Sequence, residues 1–128
     1  MLTNARVGAT LPVVDLARAR TFYEQTLGLK VVKEDPSPGI QFQAGAGTGL
    51  YIYQRAATKA DHTVAAFTVD DVESTVKDLK SKGVVFLDVN TPTFKSVDSI
   101  ATMEMPSGKF KAAWFNDTEG NILGISNM

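Results

Sequence analysis

The chain has no cysteine and a single histidine in 128 residues. The missing thiol removes a disulfide framework, a thiolate metal site and a cysteine nucleophile at once. The lone imidazole, His62, leaves a serine triad without signal, because Ser107 or Ser126 would have to find it across the fold. No apolar run approaches the length that spans a bilayer. Nor does the N-terminus show a secretory design, since Arg6 is followed by a β-like alternation. Thirteen basic residues against fourteen acidic ones, with no Lys/Arg stripe, exclude a surface built for nucleic acid or an anionic membrane. A cytosolic single domain with one core is the expectation.

What is present is organised by the stretch Ala112–Ile125. Its two apolar runs flank Asp117-Thr118-Glu119-Gly120, and Gly120 can take the positive φ of a chain reversal, so a β-hairpin is predicted. Upstream, Arg6–Val14 reads as a strand and Asp15 as a helix N-cap. Leu16, Ala19, Phe22, Tyr23 and Leu27 follow at helical spacing, with Gly28 at C′. Strands are predicted at Lys30–Glu34, Ile40–Ala44 and Leu50–Tyr53, the last two joined by a flexible glycine-rich connection. That glycine run has no lysine or helix behind it and is not a phosphate loop.

After a polar stretch at Gln54–Asp61 the pattern restarts. Val13 and Asp15 recur 56 positions later as Val69 and Asp71. Val64–Val69 reads as a strand, and Asp70 or Asp71 caps a helix striped by Val72, Val76 and Leu79 that ends at Gly83. A strand is predicted at Val84–Leu87, then a long irregular loop at Asp88–Lys109 whose Met103 and Met105 could form an adaptable lid. Two copies of strand, helix and further strands predict an α+β fold. Each half, about 1–54 and 62–128, reads strand, helix, then two or three strands; helices would cover one face of each sheet and leave the other faces to enclose a shared cavity.

Leu11-Pro12-Val13-Val14-Asp15-Leu16, Phe22-Tyr23 with Leu27-Gly28, Phe67–Val72 and Trp114–Asn121 together resemble the vicinal oxygen chelate superfamily. That group contains glyoxalase I, extradiol dioxygenases, fosfomycin-resistance enzymes and bleomycin-resistance proteins. The resemblance implies paired βαβββ modules forming a curved mixed sheet around a cavity with helices on the outside, a homodimer and, in metal-dependent members, ligands near the start of each module's first strand and in its last strand. Carried over, those positions are Gly8, Tyr51, Val64 and Gly124. Glycine and valine offer no donor and tyrosine is a rare ligand, so no metal and no cofactor are expected. His62, two residues before Val64, is the one residue that an unusual metal set could use.

Strand parity then nominates the ligand-binding residues: Arg6, Thr10, Gln41, Gln43, Tyr51, Tyr53, His62, Thr68 and Phe115, with Trp114 assigned to the core side. Apolar walls with a few polar anchors fit a small molecule, and nothing supplies paired carboxylates or an oxyanion arrangement. Catalytic residues are therefore not assigned. The leading expectation is a metal-free protein of the bleomycin-resistance type that sequesters an apolar or aromatic ligand. The alternatives are a metal-dependent lyase, isomerase or dioxygenase using His62, and a non-catalytic partner module.

Overall fold

A computed structural model describes residues 1–127. The chain divides into two compact units, Met1–Thr58 and a second from Lys59 onward.

The first unit is a four-stranded sheet with a helix on one face. Strand β1 (Ala9–Val13) leads into helix α1 (Leu16–Thr21), which continues as a single π-type turn over Phe22–Thr26. Asp15 caps α1 by accepting from the Arg18 amide at 3.0 Å, and Gly28 takes φ +75° where the helix is left. Strands β2 (Lys30–Asp35), β3 (Gly39–Gln43) and β4 (Gly49–Gln54) follow in the order β1-β4-β3-β2. β1 and β4 are parallel, and the other pairs are antiparallel. Strand alternation sends Leu11, Val13, Ile40, Phe42, Leu50 and Ile52 to the helix side, where all are buried. Tyr23, fully buried, packs its ring 5.5 Å from Phe22 and 5.7 Å from Phe42.

The second unit repeats the plan with one more strand. β5 (Thr63–Thr68) precedes α2 (Val72–Ser81). Of the two aspartates offered as cap, Asp71 serves, accepting from the Ser74 amide at 3.1 Å, and Gly83 takes φ +91° beyond the helix. Val72, Val76 and Leu79 are the buried stripe. Then come β6 (Ser96–Val97), β7 (Ile100–Met105), β8 (Gly108–Asn116) and β9 (Ile122–Ser126), with β5 parallel to β9 in a sheet ordered β5-β9-β8-β7-β6. Leu123, Ile125, Ala113 and Phe115 face the helix and are buried with Val84 and Phe86.

The fold is thus α+β, with a βαβββ frame in each unit carried by a separate curved sheet. Two local expectations change. The strand predicted at Val84–Leu87 is reduced to one bridge, Phe86 to Phe115, reinforced by Leu87 N donating to the Trp114 carbonyl at 2.8 Å. The segment expected as a long irregular loop contains β6 and β7, so Met103 and Met105 are strand residues and not a lid. Their alternation with Thr102 and Glu104 is a period-two pattern that the prolines at 92 and 106 obscure.

Candidate functional site

The two parallel closures place equivalent residues side by side. In the first unit Thr10 pairs with Tyr51; in the second, Ala66 pairs with Gly124. Thr10 and Ala66 stand at the repeat spacing, so Tyr51 and Gly124 occupy the same lattice point of the two frames. Each lies on the sheet face turned away from its helix.

In the first unit that face carries Thr10, Gln41, Gln43, Tyr51 and Tyr53, with Lys33 and Asp35 on β2 brought into phase by a bulge at Val32. Tyr51 leans across β3 and donates its hydroxyl to Asp35 Oδ2 at 3.2 Å. The ring passes over Gly39, where a Cβ would stand 1.9 Å from the phenol oxygen, so the glycine is what admits it. Gln41 spreads over the neighbouring strand, its Nε2 donating to the Phe42 and Leu50 carbonyls at 3.2 Å each. Beside it opens a concavity of about 540 Å³. Arg6, Gln41 and Gln43 meet there with Val7, Val32 and Thr48. Arg6 reaches over to donate to the Gly47 carbonyl. Thr10, Tyr51 and Tyr53 share the face but stand outside that concavity.

The second unit's open face is apolar. Cross-strand partners share a face, so Ala101 with Ala112, Met103 with Phe110, and Trp114 with Gly124 line one surface. Phe94 comes from the segment before β6 and packs its ring 6.3 Å from Trp114. Thr68 and Ser126, paired across β5 and β9, bring hydroxyls to this face. Gly124 lies under the indole: a Cβ there would sit 3.5 Å from Trp114 Cδ1 and Nε1 and from Thr63 Cγ2.

Two sequence expectations are corrected here. Phe115 is fully buried, paired with Leu123 and in ring contact with Phe86 at 5.4 Å, so it belongs to the core. Trp114 takes the open-face position. The β8–β9 hairpin closes on Asn116 and Ile122 and not on Asn116 and Asn121. One residue of register exchanges the faces of the whole strand. Asp117 sets that register: its Oδ1 accepts from the Glu119 and Asn121 amides at 2.8 Å, and its Oδ2 from Asn121 Nδ2 at 2.8 Å.

His62 is the second correction. It lies before β5, is exposed, and places Nδ1 3.9 Å from Asp61 Oδ1. A bulge between Thr63 and Ala65 shifts the phase, so Thr63 pairs with Ile122 and brings its methyl to the Gly124 position. The residues that sequence reasoning did not place on this face are therefore Trp114, Phe94 and Phe110, while Met103, expected in a lid, stands there on a strand. Their signal was the alternation of β7 and the aromatics flanking it.

The sequence profile of the Glyoxalase/Bleomycin resistance protein/Dioxygenase superfamily matches residues 6–125. The chain belongs to this superfamily. Among solved structures of the superfamily fold, an integron cassette protein, HFX_CASS4, from the mobile metagenome of the Halifax Harbour sewage outfall superposes with TM-score 0.72 at 15% identity, covering 98% of this chain and 99% of that one. Lactoylglutathione lyase from Agrobacterium tumefaciens gives 0.69 at 18% identity over 98% and 95% of the two chains. TnmS3, an antibiotic binding protein from Streptomyces sp. CB03234, gives 0.65 at 23% identity over 94% and 95%. No curated protein sequence matches the chain. The ligand positions expected from the resemblance are Gly8, Tyr51, Val64 and Gly124. Tyr51 is the only one with a donor atom, and its hydroxyl is engaged by Asp35. Among the described residues no three His, Asp or Glu side chains cluster closely enough to hold a metal ion. The donor set does not fit a catalytic divalent ion.

Proposed function

We propose that this superfamily member is a metal-free binding protein that sequesters an apolar, aromatic small molecule. The observation that carries the reading is Trp114 lying over Gly124 on a sheet face shared with Phe94, Met103 and Phe110. A side chain longer than a methyl at 124 would press on the indole; its absence leaves an aromatic shelf. Indole and phenyl rings offer stacking surfaces, thioethers adapt to irregular shapes, and Thr68 and Ser126 supply hydroxyls for orientation. The antibiotic-binding neighbour supports the class of function without naming the ligand. The homodimer and the cytosolic setting expected from the sequence belong to the same proposal.

Trp114 is the single tryptophan, so its fluorescence reports on this face alone. Titration with a panel of polycyclic aromatic antibiotics and aromatic metabolites is expected to quench or shift that emission saturably for at least one compound. Trp114→Phe removes the signal, and calorimetry on the Gly124→Glu variant should show the same compound weakened at least tenfold. Saturation by none of the panel, or binding indifferent to Gly124→Glu, overturns the reading.

A further inference from the structure

The concavity of the first unit has a chemistry unlike that of the aromatic face, and hydrogen-bond bookkeeping defines it. Gln41 has two amide protons, and both are spent on the Phe42 and Leu50 carbonyls. Turning the amide over would set Oε1 against two carbonyl oxygens, so the side chain is held with its acceptor uncommitted. Gly49 makes this possible. A Cβ there would stand 3.1 Å from Gln41 Nε2 and 2.4 Å from the Phe42 carbonyl oxygen. Thr48 spends its hydroxyl on the Gly45 carbonyl, leaving Arg6 as the charged group of the wall.

Arg6 bonds the Gly47 carbonyl, which steadies the guanidinium while leaving most of its five N–H donors available. No aspartate or glutamate lines the concavity, and among the described residues Arg6 has no acidic partner. Val7 and Val32, both largely exposed, flank it with apolar surface that an occupant would cover. The volume of about 540 Å³ suits an organic molecule and far exceeds an inorganic ion.

We infer that this concavity of the first unit binds an organic carboxylate with an apolar body and an N–H or O–H donor. Arg6 receives the carboxylate in its planar fork, Gln41 Oε1 accepts the ligand's donor, and Val7 and Val32 cover the hydrocarbon. The inference adds to the binding reading above and does not depend on the aromatic face of the second unit.

The probe pair is 4-hydroxyphenylacetate and its neutral amide, 4-hydroxyphenylacetamide, with inorganic phosphate as the ion-only control. Each is titrated into the full chain and followed by amide and side-chain nitrogen–proton correlation spectra. The carboxylate should saturate, with shifts concentrated at Arg6 to Gly8, the Gln41 side-chain amide and Gly47 to Gly49. The neutral amide, and the carboxylate on Arg6→Met, should each bind at least tenfold more weakly. Because Arg6 is exposed, that variant keeps its spectrum outside the concavity. Equal binding of the amide, equal binding of phosphate, insensitivity to Arg6→Met, shifts centred elsewhere, or no saturable binding of the carboxylate each overturn the inference. Shifts around Trp114 alone would favour the aromatic face and dismiss this site, so the two readings fail separately.

Discussion

Trp114 lies across the β8–β9 ladder from Gly124, its indole at van der Waals distance from where a Cβ would stand, 3.5 Å away. That distance is ordinary for a methyl and prohibitive for anything longer. Gly124→Ala should therefore leave unfolding free energy within about 0.5 kcal/mol of the parent in urea titration. Gly124→Glu should displace the indole, shift its emission towards the red, and still bind no zinc stoichiometrically by elemental analysis, because the partner positions have no donors.

Neighbouring aromatics on one strand should behave oppositely. Phe115→Ala opens a cavity in the buried core beside Phe86 and Leu123 and should cost about 3–5 kcal/mol in denaturant unfolding. Trp114→Phe keeps an aromatic on a half-buried face and should cost less than about 1.5 kcal/mol. The reverse ranking would restore the sequence-derived assignment of their faces.

Asp117 holds the hairpin by accepting two backbone amides and the Asn121 side chain while buried. Asp117→Ala strands those donors and should destabilise the chain by roughly 2–4 kcal/mol. Asn, which keeps one acceptor oxygen, should recover part of the loss. Urea unfolding of the three proteins checks the order.

Gly39 and Tyr51 form a steric pair that a double-mutant cycle can read. Gly39→Ala drives a methyl into the phenol and should cost about 1–3 kcal/mol. In a Tyr51→Leu background the same change should be much less harmful, giving a coupling energy above about 0.5 kcal/mol in thermal or urea unfolding.

The hydrogen bond from Lys111 holds the Glu73 carboxyl below its ordinary value, joining the start of α2 to β8. A lowered folded-state pKa makes the linkage favourable above the unfolded carboxyl's range, near about 4.3, and the benefit is lost as pH falls through the lower folded value. Carboxyl-carbon NMR titration should place the Glu73 midpoint below that of an unpaired glutamate, and Lys111→Met should return it towards normal. The pair is solvent-exposed, so its effect on stability should be small and reduced by salt.

Where the chain alternates without interruption, its faces were legible in advance. Leu11, Phe42, Leu50 and Ile52 are buried as their parity demands, and Asp15, Gly28, Gly83 and Gly120 punctuate the chain as their chemistry requires. What escaped was phase. A bulge at Val32, another between Thr63 and Ala65, and a five-residue hairpin loop each move side chains by one position, and no local pattern records them. Phe115 and His62 were misplaced for that reason. Gln41's fixed acceptor was equally hidden, because it depends on Gly49 lying beside it in the adjacent strand.

Each unit is closed by pairing its first strand with its last, and among the described residues of the second unit β9 is the only strand hydrogen-bonded to β5. During synthesis Thr63 and Phe67 emerge long before Ile122 and Ile125, and no shorter-range ladder can hold them. The hairpins from β6 to β8 can form as they appear, whereas β5 stays without its ladder partner until β9 has been made. The same closure brings Gly124 alongside Ala66, so the aromatic face is complete only once β9 has paired with β5.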